Sequence, residues 1–213
     1  MRLQPIRVYC LHHISTTFDA ESMKTVDWMQ IDDFKRKVLA MQENGVEFIS
    51  LAEAYRHISN DWVRYKKFAV LTFDDGYVSL KEILPWLEDR HIPVTLFING
   101  KYLDEKSYRE NPKERYLAKD ELFAMTSQYI AIGSHGWEHI RATKQTEKEF
   151  EESIEKNVKL LSRHPRYIPY HAYTYGDYNS ETDDVLCRFS NIPVLIDGVD
   201  NYNDKVYIHR RLL

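Results

Sequence analysis

Two pairs of residues in this chain have the types and spacing for hydrolytic chemistry. Asp74 and Asp75 stand side by side in "LTFDDGY", after an apolar run and before Gly76. His135 and His139 are four residues apart in "GSHGWEH". Aspartate is a poor strand former and adjacent like charges repel, so a pair of them at the tip of a buried strand needs a cause. A divalent cation would supply one. One carboxylate binds it, the neighbour stays free as a base, and Gly76 lets the backbone turn tightly beneath them. On a helical turn the histidine spacing puts both imidazoles on one face, roughly 6 Å apart, which suits a shared metal. The motif is not the HExxH of zincins, because Glu138 is wrongly placed for that base. Two histidines and one carboxylate make the three protein ligands usual in a catalytic site that keeps a position open for water. One divalent ion is therefore expected. Zinc fits the set best, and manganese, cobalt or nickel would tolerate it. The plainer readings are a strand-ending aspartate–glycine turn and two polar surface histidines. Finding both motifs in one chain weighs against them.

Such residues must be brought together by the elements around them. Short apolar runs alternate with helical patterns along the whole chain. "IRVYCL", "VEFISL", "FAVLTF", "PVTLFING", "YIAIGS", "YIPYHAYTYG", "IPVLID" and "VYIHRRL" read as strands. Helical stretches lie between most of them, among them "DDFKRKVLAMQENG", with Asp32 or Asp33 near its N-cap and Gly45 as a stop. "TEKEFEESIEKNVKLLSR" has Phe150, Ile154, Val158 and Leu161 at helical spacing, as a covering helix with one solvated face. Alternating strands and helices imply a parallel sheet. Seven or eight such units favour an α/β fold closed as a distorted (β/α) barrel with about seven parallel strands. No linker or low-complexity segment divides the chain, so residues 1–213 read as a single domain. "DDG", "NG", "SHG" and "YGDY" all fall where a strand ends. In a parallel barrel those ends share one face, so the residues can converge.

Composition sets limits. The 213 residues carry a net charge of −4 with lysine and arginine dispersed, which gives no case for nucleic-acid binding by bulk charge. Cys10 and Cys187 are too far apart for a disulfide framework or a metal-spaced cluster, and both read as buried thiols. The start, "MRLQPIRVYCLHHI", lacks an apolar leader, and no stretch approaches a membrane span. A cytoplasmic location is the expectation as the chain is written, or an extracellular or periplasmic one if a leader has been trimmed. No partner protein is evident. His57, His91 and His164 read as surface residues.

The stretch "AVLTFDDGYVSLKEILPWLEDRHIPVTLFING", residues 69–100, resembles the polysaccharide deacetylase family (carbohydrate esterase family 4, the NodB homology domain). "IGSHGWEH" resembles that family's second box, His-Ser/Thr-x-x-His. "HAYTYGDYN", residues 171–179, resembles the third box as it stands in the poly-N-acetylglucosamine deacetylase branch. The resemblance runs from about residue 6 to about residue 200. It implies metal-dependent removal of N-acetyl groups from an N-acetylated amino sugar or polysaccharide. Asp74 would be the general base; Asp75, His135 and His139 would hold the metal; the backbone N–H of Tyr175 would help hold the oxyanion. In that branch, which looks circularly permuted, the general acid comes from an N-terminal strand, and His12 of "CLHHI" matches the place. His12 also sits at the tip of the first strand, on the expected face. His209 of "YIHRR" is its competitor, and His13 reads as a packed or surface residue. Tyr77 and Asp197 are possible secondary site residues, the latter through the Asp-x-x-Asp spacing of "DGVD". The chain departs from the family in places. Gly136 removes a hydroxyl that would brace the second box, Ala172 replaces an arginine that would restrain the base, and Thr174 replaces a proline. The metal triad and base are intact, so a changed substrate is the expectation. Two alternatives stand beside this reading. One is an amidase or deformylase acting on a lipid- or nucleotide-linked amino sugar. The other is a carbohydrate-binding relative with weak turnover.

Overall fold

The computed structural model describes residues 4–16, 28–60, 65–104 and 115–213. The first residues, on which the missing leader was read, are partly outside this set. In chain order the strands are β1 (Ile6–Leu11), β2 (His13–Ser15), β3 (Trp28–Gln30), β4 (Val46–Phe48), β5 (Lys67–Phe73), β6 (Val94–Ile98), β7 (Ile130–Ser134), β8 (Tyr167–Ala172), β9 (Ile192–Ile196) and β10 (Ile208–Leu212). The helices are α1 (Ile31–Glu43), α2 (Leu51–Ser59), α3 (Leu80–Asp89), α4 (Gly100–Asp104), α5 (Lys119–Phe123), α6 (Glu147–Leu161) and α7 (Ser180–Arg188).

Seven parallel strands close a ring in the order β1-β10-β9-β8-β7-β6-β5, with β5 pairing back onto β1. The distorted barrel of about seven parallel strands is therefore the fold. β4 adds to the start of β5 outside the ring. Alternation along each strand sorts side chains between two cores. Ile6, Val8, Val70, Phe97, Tyr170, Ala172, Val194 and Ile208 fill the barrel. Leu11, Leu71, Phe73, Leu96, Ile98 and Ile132 face outward against Phe34, Val38, Ile83 and Leu160 of the helices. Strands buried on both faces explain the continuous apolar runs in the sequence. Leu51, Ala54 and Ile58 of α2 join the inner cluster beside Ile168 and Ile192, where strands begin. α2 thus plugs the barrel at the end away from the strand tips.

Several local expectations change. α1 starts at Ile31, so Asp32 and Asp33 fill its first turn, where they favour the helix dipole, and Gln30 is the N-cap. Of "VEFISL" only Val46–Phe48 is strand. Cys10 is buried, but Cys187 is exposed on α7. His164 is not a surface residue: it is 3% exposed. Its Nε2 donates to the Leu122 carbonyl at 3.1 Å, and its Nδ1 accepts from the Arg166 amide at 3.1 Å. His57 is half-buried against Phe68, and His91 is exposed. Among the described residues no helix is long and apolar enough to cross a membrane.

Candidate active site

β5 points Val70 and Thr72 into the barrel, and Asp74 continues that parity, 3% exposed. Its amide donates to the Leu11 carbonyl at 2.9 Å, so β1 and β5 stay paired up to the site. Asp75 would face the other way in a regular strand. Instead its backbone turns left-handed, with φ at 69°, followed by Gly76 at 83°. A non-glycine residue there stores on the order of 1–3 kcal/mol of strain, a cost met mainly at functional sites. Gly76 is required twice, by its φ and by space: a Cβ would lie 2.9 Å from Ile98 Cδ1.

At the tip of β7, His135 follows Gly133 in inward parity. Residues 135–139 are not helical, contrary to expectation. Gly136 has φ at 82° and reverses the chain, and the two imidazole centroids lie 5.2 Å apart. The bracing hydroxyl missing at Gly136 has replacements. Asn99 Nδ2 donates to the His135 carbonyl at 2.7 Å, and Ser153 Oγ of α6 accepts from the Trp137 amide at 2.9 Å. Ser134 Oγ accepts from the Gly136 amide at 3.3 Å.

Asp75 Oδ1 lies 3.4 Å from His135 Nε2 and 3.3 Å from His139 Nε2. His135 Nδ1 donates to the Ala172 carbonyl at 2.7 Å, which leaves the Nε2 lone pair facing Asp75. Burial lowers the pKa of both histidines, that of His139 to about 4, so both are neutral near pH 7. Burial raises the pKa of Asp75, partly offset by His135. Asp75 Oδ1 is buried and has no hydrogen-bond partner. Three lone-pair donors, those of Asp75 and His135 buried and that of His139 half-buried, thus converge within 4.8 Å with no hydrogen to share between them. That arrangement fits a divalent cation with nitrogen and oxygen ligands.

Asp74 has a partner that no sequence motif marks. Arg210, on β10, is fully buried and grips Asp74 with two hydrogen bonds, Nη1 to Oδ1 at 2.6 Å and Nη2 to Oδ2 at 2.9 Å. It also donates to Thr72 Oγ1 at 3.1 Å and lies over the Phe97 ring, 5.2 Å from its centroid. Burial alone would raise the pKa of Asp74. Arg210 and His135 outweigh burial and hold it well below the ordinary carboxylate range. The restraint absent at Ala172 is thus supplied from another strand. Cys10 Sγ donates to Asp74 Oδ2 at 3.5 Å, and burial keeps this thiol protonated.

Residues 63–189, more than half the chain, match the pattern of the polysaccharide deacetylase family. The chain belongs to that family. "Putative polysaccharide deacetylase YxkH" of Bacillus subtilis (strain 168) is 24% identical over 152 residues, covering 70% of this chain and 52% of YxkH. The chain thus spans about half the length of that curated relative. IcaB from Ammonifex degensii superposes with a TM-score of 0.83 at 20% identity, covering 99% of this chain and 92% of IcaB. The Streptococcus pyogenes deacetylase PplD, solved with acetate, also gives 0.83 at 20% identity, covering 100% and 94%. These likenesses establish a shared fold over the whole chain.

Other candidate residues of this deacetylase-family chain divide cleanly. His12 ends β1 at the mouth, with a ring nitrogen within 4.8 Å of Cys10 Sγ and an Asp74 oxygen. Tyr77 is buried, its hydroxyl accepts from the Tyr116 hydroxyl at 3.2 Å, and burial and the nearby Asp75 raise its pKa. His13 is packed, with its ring 4.1 Å from Trp28 and 3.6 Å from Tyr77, so it belongs to an aromatic column. Tyr175 is left-handed at φ 59°, with its ring edge-on to His139 at 4.7 Å. Thr174 Oγ1 donates to the His135 carbonyl at 3.4 Å, at the position expected to be proline. His209 and Asp197 are not brought to the site. Adjacent strand residues face opposite ways, so with Arg210 inside, His209 is outside. There it bonds Asp197 Oδ2 at 2.7 Å and Asp204 Oδ2 at 3.0 Å.

Proposed function

We propose that this protein is a metal-dependent carbohydrate N-deacetylase, a hydrolase that removes acetyl groups from an N-acetylated amino sugar or its polymer. One observation carries the reading: Asp75, His135 and His139 converge as a ligand set at the strand tips, beside a carboxylate, Asp74, that a buried arginine keeps ionised. Family membership and the whole-length likeness to IcaB and PplD support it. They also favour the poly-N-acetylglucosamine branch, in which the first strand supplies the acid.

Asp75, His135 and His139 would hold the ion, most suitably zinc. When bound it would polarise the acetyl carbonyl and acidify an attacking water. Asp74 takes the water proton. Its depressed pKa keeps it ready to accept at any working pH and poor at retaining what it accepts, which suits a relay. Arg210 fixes its orientation and limits its rotation. The Tyr175 amide donates to the oxygen that gains charge. The C–N bond then breaks, acetate leaves, and His12, across from Asp74, gives a proton to the amine.

The test is metal analysis of purified protein together with acetate release from small chito-oligosaccharides. One divalent ion per chain and ion-dependent acetate release are expected. Full metal occupancy in the His135→Ala/His139→Ala double variant would overturn the site. Tight sugar binding without acetate release would favour the carbohydrate-binding alternative.

A further inference from the structure

Charged side chains around the mouth are mostly neutralised in pairs. Lys101 meets Glu138 at 3.1 Å, Arg115 meets Glu121 at 2.7 Å, and Lys81 meets Glu121 at 3.0 Å. Arg141 differs. It follows the second histidine box by two residues, is exposed, and has no carboxylate partner among the described residues. It is nonetheless held in place, with its guanidinium carbon 4.2 Å from the centre of the Tyr175 ring. That ring in turn meets His139 at 4.7 Å. The acidic group of the neighbouring segment, Asp177, is occupied elsewhere: its Oδ2 accepts from the Thr143 amide at 3.1 Å and hydroxyl at 2.6 Å.

A guanidinium held over an aromatic ring by its carbon leaves N–H groups at its rim to donate elsewhere. Those groups form a flat fork that matches two oxygens of a phosphate or carboxylate. The ring contact also settles the orientation in advance, so less side-chain entropy is lost on binding. We propose that Arg141 is a specificity residue for an anionic substituent, so that the preferred substrate is an N-acetylated amino sugar carrying a phosphate or carboxylate close to the reacting amide. The position, one aromatic ring away from His139, sets that distance to about one sugar residue. This rests on the deacetylase reading and narrows its substrate class.

The metal-loaded enzyme is assayed for acetate release from three probes: neutral triacetylchitotriose, UDP-N-acetylglucosamine as the phosphate, and a muramic-acid disaccharide as the carboxylate. The wild type should favour at least one anionic probe by kcat/KM, and added salt should erode that preference. Arg141→Gln should lower the anionic-to-neutral ratio by about tenfold or more, the usual worth of a charge-assisted pair of bonds. Arg141→Lys, which keeps the charge without the fork, should fall between. Which probe loses more separates phosphate from carboxylate. A ratio within twofold of wild type in Arg141→Gln overturns the proposal. So does an equal loss on all three probes, which would make Arg141 a brace for Tyr175. Absence of acetate from every probe would instead count against the deacetylase reading. Calorimetric binding of the same probes to wild type and Arg141→Gln then decides the role of Arg141 by itself.

Discussion

Asp74 and Asp75 differ by one position and by everything around them. Asp74 faces a guanidinium and is ionised; Asp75 faces two neutral imidazoles and is destabilised as an anion until a cation arrives. Asp74→Asn should therefore keep the metal and still lose about 10²–10⁴ in rate, the usual worth of a general base. Asp75→Asn should lose the metal first. Equal metal loss in both would refute this division of labour, and atomic absorption on the two purified variants decides it. His12→Ala should keep metal and fold but lose most turnover, whereas His209→Ala should be mild; acetate-release rates of the two variants decide it. The reverse result would return the acid to β10. The places of Asp74, Asp75 and His12 at strand ends were legible because short motifs mark them. Arg210 was not. Its partner is 136 positions away, and only strand parity, with Ile208 inside the barrel, marks it as inward.

At the scale of elements, strand tips were readable because apolar runs stop at turn-forming residues. The shape of the tips was not. The histidine spacing suggested a helix, but the φ of Gly136 turns the chain instead, and backbone φ cannot be read from spacing. His164 looked exposed because its acceptor, the Leu122 carbonyl, belongs to a different element. The segment joining β9 to β10 carries its own testable charge. Burial pulls the pKa of His209 down, but Asp197 and Asp204 outweigh it and leave it raised. A raised folded pKa gives stability that is fully present below the unfolded value, about 6.5, and is lost as pH rises through the folded one. The stability advantage of wild type over His209→Gln should thus be greatest near pH 6 and shrink toward pH 9. Urea midpoints across that range would show it, and a constant difference would count against the two ion pairs.

Over the whole molecule, the ring closes where β1 meets both β5 and β10, and Asp74, Cys10 and Arg210 meet near that seam. The candidate ligands follow β5, at the seam, and β7, two strands further round the ring. A cation bound across these elements stabilises only the folded chain. At a hundredfold excess over its dissociation constant it should raise the melting temperature by roughly 5–10 °C for a chain of this size. Calorimetric scans with and without chelator measure this. No shift, with metal present by analysis, would mean that the unfolded chain holds the ion as well as the folded one does.

The aromatic column has an optical consequence. Trp28 stacks on His13 at 4.1 Å, His13 on Tyr77 at 3.6 Å, and Tyr77 on Tyr116 at 4.6 Å, while the charge of Asp75 is felt at the Tyr77 hydroxyl. An indole at one end of a continuous stack is thereby coupled, through three contacts, to the carboxylate that would receive the ion. Any change in the charge on Asp75 alters the hydrogen bond that Tyr77 makes, and with it the local field along the stack. With Trp62, Trp86 and Trp137 replaced by phenylalanine, the emission of Trp28 should therefore change when the site is filled, and an unchanged spectrum on metal addition would count against this coupling.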